Sequence, residues 1–259
     1  MRDRHIPVFS SAFLAAALAG LLLAVPGPAR GMDARVLYQK VKGSVVIVYK
    51  KALGESQYYF GGSGFVVGDG TVAVTNHHVV EGVARTMQVV TLDGRAVENV
   101  RVLRFSVADD LALLGLPERL PPLELYPGKI RIGQPVAVLG NPMGYMGTQS
   151  TGIVSGFQTN KRWGDVFQTS APNSPGSSGS PMLDGDGRVV GVICGGSAAE
   201  QNMNFAVPVE KLRRLLGRDL SPTADGGTGR DALEPDRSLE IRTAPDGAIT
   251  IIQKRKSGQ

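Results

Sequence analysis

The chain has 259 residues, 42% of them hydrophobic and 20% charged, with 34 Gly, 16 Pro, a single Cys and a formal net charge of +5. That length holds one substantial domain or two small ones, and the composition suits a turn-rich globular β protein and excludes a disordered chain. One cysteine excludes an internal disulfide, and the absence of any core segment that interleaves basic and aromatic residues speaks against a nucleic-acid site.

The N-terminus reads as an export signal. Arg2 and Arg4 form a basic start, residues 9–25 are apolar and rich in Ala and Leu, and Pro26-Gly27-Pro28-Ala29-Arg30-Gly31 supplies small and turn residues. Cleavage after Gly31 would place Ala29 and Gly31 at the small-residue positions. The rival reading is an uncleaved anchor, for which the apolar run is long enough only if it starts near Ile6. No Cys lies near the end of the apolar run, so no lipid attachment site is expected.

Residues 32–39 read as a short helix or arm. Strand-like runs follow at 44–49, 64–67, 71–75, 87–91, 96–103 and 111–114, separated by turn signals such as Gly68-Asp69-Gly70 and Asp93-Gly94. Arg119-Leu120-Pro121-Pro122 is a proline-stiffened bridge to a second set at 135–139, 148–157, 166–169, 188–194 and 204–207. Many short strands with regular turns predict an all-β fold of two barrels, about 40–118 and 125–208. Residues 209–216 form an amphipathic helix, with Leu212, Leu215 and Leu216 on one side, Lys211, Arg213 and Arg214 elsewhere, and Gly217 at its end. Residues 218–236 read as a polar linker. The pattern at 238–243 and 248–253, around a turn at 244–247, predicts a β-hairpin that needs something to pack against; a disordered basic tail ending in Lys254-Arg255-Lys256 is the alternative. No internal repeat is visible.

Three segments carry chemistry. Ser174-Pro175-Gly176-Ser177-Ser178-Gly179-Ser180-Pro181 holds serines in a glycine-rich turn able to aim several amides at one point. Thr75-Asn76-His77-His78-Val79-Val80 ends a strand and supplies the histidines, which on a continuing strand would point to opposite faces. Asp109-Asp110-Leu111-Ala112-Leu113-Leu114 sets a carboxylate at the mouth of an apolar strand. A serine needs a base to take its proton and N–H donors to receive the developing negative charge, and the order His, Asp, Ser is that of the chymotrypsin class. Within each segment a neighbour competes: Ser177 and Ser180 with Ser178, His77 with His78, Asp109 with Asp110. His5 lies in the leader and no ligand cluster surrounds the other histidines, so no metal is expected.

The segments TNHHVV, DDLALL, GNPMG…STGIVSGF, PGSSGSP and MNFAVP resemble, in order over about residues 60–208, the corresponding blocks of the HtrA/Deg trypsin-like serine proteases. Ser177 stands where Asn is usual, Ser180 where a second Gly is usual, and no segment of PDZ length follows Pro208. The resemblance implies a chymotrypsin/trypsin-like double β-barrel with a short C-terminal helix. It implies catalytic residues His78, Asp110 and Ser178 and an oxyanion hole among the amides of Gly176, Ser177 and Ser178. It also places a substrate pocket with Pro172 and Asn173 at its base, the Cys194-Gly195-Gly196 strand along the substrate, and Met203 and Asn204 on the far wall. No carboxylate lies among these, so Lys or Arg has no counter-ion, and Met203 suggests a small or medium apolar side chain. Zymogen trypsins carry Asp just before the catalytic serine; Ser177 in that place argues against classical activation, leaving the oxyanion loop to be ordered by neighbouring loops or a partner. The function implied is an exported serine endopeptidase, without cofactor, that cleaves unfolded or exposed polypeptides in the periplasm or outside the cell. Contact with a membrane is expected only if the N-terminal segment stays, and a homo-oligomer is left open. The alternative is a catalytically weak binding or scaffold module on the same fold.

Overall fold

In the computed structural model, residues 31–51, 57–82, 87–196 and 203–217 are described, Asn160 by its backbone alone, with the backbone of 237–243 and 249–255. The expected leader up to residue 30, the linker 218–236 and the turn 244–247 lie outside the described residues. The chain divides into two units, Met1–Gly31 and Met32–Gln259, and the described elements lie in the second. Among the described residues no helix is long and apolar enough to cross a membrane.

Helix α1 (Ala34–Val41) starts where Asp33 accepts hydrogen bonds from the N–H groups of Arg35 (3.0 Å) and Val36 (3.1 Å), satisfying two donors that have no partner within the helix. Leu37 and Val41, one turn apart, are its buried residues. A single 3₁₀ turn leads into the first barrel: β1 (Val45–Lys50), β2 (Tyr59–Val67), β3 (Val72–Thr75), β4 (Met87–Thr91), β5 (Ala96–Ser106) and β6 (Leu111–Gly115). These strands close antiparallel in the order β1-β2-β3-β6-β5-β4. The second barrel is built from β7 (Pro135–Gly140), β8 (Thr148–Asn160), β9 (Gly164–Thr169), β10 (Pro181–Leu183), β11 (Val189–Gly196) and β12 (Asn204–Pro208), closed in the order β10-β11-β12-β9-β8-β7. Closure removes the open edges that a sheet would otherwise expose. Both orders are the same connection made twice, so the topology repeats where the sequence shows no repeat.

The barrels are joined along their length. Leu123 N–H donates to Val66 O of the first barrel (2.8 Å), and Tyr126 N–H donates to Val189 O of the second (2.9 Å), so the segment after Pro121-Pro122 pairs with both. One apolar core runs from Phe65, Val74, Leu111 and Leu113 of the first barrel into Leu139, Met182, Leu183 and Ile193 of the second. A second core fills the first barrel around Val46, Val66, Val89 and Leu114.

Helix α2 (His77–Val80) is a single turn after β3, and α3 (Val209–Leu216) follows β12. In α3 the buried face is Val209, Leu212 and Leu215, but Lys211, expected on the polar side, is buried as well. Its ammonium lies 3.0 Å from Asp109 of the first barrel and donates to Trp163 O of the second at 3.2 Å. Both barrels therefore supply an oxygen to this cation, which offsets the cost of taking it out of water. Gly217 does end the helix, donating to Arg213 O at 2.8 Å, but with φ −73 rather than in the left-handed conformation of many glycine caps. The last described strands, β13 (Arg237–Thr243) and β14 (Ile249–Arg255), pair antiparallel with Ile241 opposite Ile251 and Thr243 opposite Ile249.

Candidate active site

The two histidines sit on the first turn of α2, not on a strand. Asn76 is the last extended residue (φ −81, ψ 154) and the chain turns helical at His77. The two rings consequently separate around a helix. His77 lies against the Phe105 ring, with centroids 4.8 Å apart, whereas His78 reaches Asp110. His78 Nδ1 is 2.8 Å from Asp110 Oδ2, and the backbone N–H of His78 donates to Asp110 Oδ1 at 3.0 Å. A carboxylate held at both oxygens by one residue fixes the imidazole plane and favours the tautomer with the proton on Nδ1. Nε2 is then the acceptor, and it has no partner among the described residues.

Asp110 is buried and takes a positive φ of 51, uncommon for any residue but glycine and tolerated best by Asn and Asp. Asn76 Nδ2 donates to its carbonyl at 2.9 Å, tying the end of β3 to the start of β6. Asp109 points elsewhere: one oxygen lies on Lys211 and the other accepts from Ser106 Oγ at 3.2 Å. The four side chains at 109, 110, 77 and 78 are thus sorted into one facing pair and two structural contacts.

The serine-rich turn is sorted by burial. Ser177 and Ser180 are buried, whereas Ser178 is partly exposed. Ser177 Oγ accepts from the N–H of Ser174 at 3.3 Å, within its own turn. The Ser178 hydroxyl has no partner among the described residues. Its carbonyl accepts from Ser63 N–H of the first barrel at 2.8 Å, and Gly179 N–H donates to Ile193 O at 2.8 Å. Gly179 (φ 87) has no room for a side chain: a Cβ there would lie 2.0 Å from Ser63 O and 2.5 Å from Thr75 Oγ1. Ser178 is thereby pinned where the barrels meet.

Three amides were expected to converge at this turn, and the structure separates them. Ser177 N–H is committed to Ser174 O at 2.9 Å, so it closes the turn. The N–H groups of Gly176 and Ser178 have no acceptor among the described residues. The direction of the Gly176 N–H is set from outside. Pro175 C=O and Gly176 N–H are the two ends of one planar peptide unit, and Met143 N–H donates to Pro175 O at 2.8 Å. Gly176 (φ 95) packs so closely that a Cβ would lie 2.8 Å from both Met143 N and the Phe60 ring. The loop after β7 thus contacts the turn through Met143.

Sequence reasoning missed the residue that coordinates this arrangement. Ser63 Oγ donates to Gly176 O at 2.9 Å and accepts from Asn141 N–H at 2.9 Å, while Ser63 O accepts from Thr75 Oγ1 at 2.7 Å. Ser63 lies between two glycines (Gly62-Ser63-Gly64), just before the run read as a strand at 64–67, so the sequence pattern carried no signal for it; the structure extends that strand back to Tyr59.

The remaining expected residues line β11, β12 and the segment before the turn. Cys194 is buried, and burial pushes its thiol well above the ordinary range, with the Asp110 carboxylate pushing it further. A thiol so held stays protonated and inert. Gly195 (φ 151) lies under the Trp163 ring, where a Cβ would come within 2.9 Å. Gly196 is exposed and pairs with Asn204, while Pro172 is exposed and its carbonyl accepts from Ser150 Oγ at 2.7 Å. Met203 is half-buried against the shared core. Asn173 and Asn204 bring two side-chain amides to the same place, so the wall is more polar than Met203 alone suggested. Among the described residues no group of three His, Cys, Asp or Glu side chains is placed to hold a metal.

Comparison with known proteins gives the family. Residues 62–192 match the family described as trypsin-like peptidase domain. The chain is 31% identical over 202 residues to Protease Do-like 1, chloroplastic, of Arabidopsis thaliana, covering 70% of this chain and 46% of that protein. It is 33% identical over 215 residues to the putative serine protease HhoB of Synechocystis, covering 74% of this chain and 51% of that protein. The chain spans about half or less of the length of these relatives. Among solved structures, an alanine variant of the HtrA-type protease AlgW with tripeptide superposes with a TM-score of 0.63 at 26% identity, covering 71% of this chain and 62% of that one. The serine endoprotease from Yersinia pestis shares the fold, with a TM-score of 0.62 at 24% identity, covering 73% of this chain and 66% of that one. The chain belongs to the trypsin-like peptidase family, with the Do and HtrA serine proteases as its relatives.

Proposed function

We propose that this protein is an exported serine endopeptidase that cleaves unfolded or exposed polypeptides through His78, Asp110 and Ser178. The observation that carries the reading is the two-point hold of Asp110 on His78, at 2.8 Å and 3.0 Å, which leaves Nε2 as a free acceptor. Ser178 Oγ attacks the scissile carbonyl while Nε2 takes its proton, and the imidazolium then gives that proton to the leaving amine. Asp110 stabilises the imidazolium and keeps the tautomer. The carbonyl oxygen, now negative, is received by the N–H groups of Gly176 and Ser178, donors of a kind worth about 3–4 kcal/mol each in the transition state. A water activated by His78 then releases the acyl group. No hydrogen bond joins His78 to Ser178 among the described residues; such bonds tighten when substrate is seated.

The substrate strand would lie along Cys194, Gly195 and Gly196, with Pro172, Asn173, Met203 and Asn204 around the side chain before the scissile bond. Export is supported by the N-terminal basic and apolar segment, and by relatives such as the probable periplasmic serine endoprotease DegP-like of Chlamydia muridarum, which is 31% identical over 169 residues. Incubation of the purified chain with unfolded casein tests the reading. The wild type should degrade it and Ser178→Ala should not, at equal helicity and strand content by circular dichroism. Equal cleavage by the two proteins would overturn the assignment.

A further inference from the structure

Beside the serine turn, three oxygens lie close to Gly196. Gly179 N–H and Ile193 O, and Ile193 N–H and Ser180 O, pair at 2.8 Å and 2.9 Å, so β11 runs antiparallel past the turn and its last residues continue beyond Ser178. Gly196 ends that strand and is exposed. The position that a Cβ on Gly196 would take lies 3.0 Å from Asn204 Oδ1, 3.0 Å from Met203 O and 3.5 Å from Asn173 Oδ1. Neither side-chain oxygen receives a hydrogen bond from a described residue. The orientation of the Asn204 amide is set by its other end, where Nδ2 donates to Ala171 O at 3.0 Å. The acceptor therefore faces Gly196.

We infer that this site selects a short, uncharged side chain carrying a hydrogen-bond donor, namely Ser, Thr or Asn, at the residue before the scissile bond. The inference rests on the reading of Ser178 as nucleophile. It departs from the small apolar preference expected from Met203. An apolar side chain seated here strips water from carbonyl oxygens and gives nothing back, which is costly, whereas a hydroxyl or carboxamide N–H replaces the lost water. No carboxylate lies among Pro172, Asn173, Cys194, Met203 and Asn204, so a Lys or Arg side chain has no counter-ion there, and the buried Asn204 is held in place by Ala171.

The test uses the full chain and two peptides identical except for Thr or Val before the cleaved bond. These side chains have nearly the same shape and differ by the hydroxyl. The wild type should cleave the Thr peptide with kcat/KM about 10-fold higher, the value of one neutral hydrogen bond in a desolvated site. Asn204→Leu, which removes the acceptor while keeping the branching at Cγ, should bring the ratio to unity or invert it. Because that variant could fail to fold, Ser178 reactivity toward a fluorophosphonate is read in parallel, and Asn173→Ala serves as a second variant, expected to lower the Thr/Val ratio. A wild-type ratio of one or less, with Ser178 still labelled, overturns the inference and leaves the endopeptidase standing. Absence of both labelling and cleavage overturns the endopeptidase, and this inference with it.

Discussion

Asp110→Asn should lower casein turnover about 10⁴-fold in a protein that stays folded, the size of effect seen when this role is lost in a serine triad. The physical reason is the direction of one hydrogen bond. The carboxylate now accepts twice from His78, from Nδ1 at 2.8 Å and from the backbone N–H at 3.0 Å. An asparagine has one oxygen, and the backbone N–H of His78 will claim it because that donor is invariable. The carboxamide NH₂ then faces Nδ1, which must become the acceptor, and the ring proton moves to Nε2. A ring protonated at Nε2 cannot take the serine proton. Casein hydrolysis checks the rate and circular dichroism checks the fold. A variant retaining a tenth or more of wild-type activity would contradict the assigned role, whereas the same loss from Asp109→Asn would point to the neighbouring carboxylate.

Gly179→Ala should strongly destabilise the fold. The new Cβ would sit 2.0 Å from Ser63 O and 2.5 Å from Thr75 Oγ1, on a backbone at φ 87. The closer contact cannot be relieved by a side-chain rotation, because Ser63 O is backbone. Overpacking and the left-handed conformation each cost about 1–3 kcal/mol, and here they coincide. The expected loss is about 3–5 kcal/mol, or roughly 10 °C in melting temperature for a domain of this size. Since Ser63 and Thr75 belong to the first barrel and Gly179 to the second, the same change should separate the two half-sites and abolish cleavage. An unchanged melting temperature would mean that the barrels do not meet here as described.

Much of the architecture was legible because short β-branched runs broken by Gly and Asp turns have few alternatives. Strand β4 was read to the residue, and each of the six runs before residue 118 corresponds to one strand of the first barrel. What escaped was whatever tertiary contact decides. Strand β10 has three residues and starts with Pro181, too little pattern to read. His77-His78-Val79-Val80 carries strand-forming residues, yet it turns helical, and its His78 N–H is bonded to Asp110, a residue far away in sequence. Lys211 sits at a polar position of its helix and is buried because two barrels each offer it an oxygen. In the site, the family blocks implied His78, Asp110 and Ser178, while the contacts that hold them, Asp110 on both His78 N–H groups and Ser63 on the serine turn, join residues far apart in the chain. The polarity of the Gly196 corner needed the β11–β12 register, since Asn173 and Asn204 lie far apart in the chain.

The central claim is that Ser178 is the nucleophile activated by His78. Reaction of the purified protein with a fluorophosphonate, followed by digestion and mass mapping of the adduct, tests it most directly. A single adduct on Ser178 in the wild type, lost in folded His78→Ala, is the predicted result. An adduct on Ser177 or Ser180, or a folded wild-type protein that takes up no label, would contradict it.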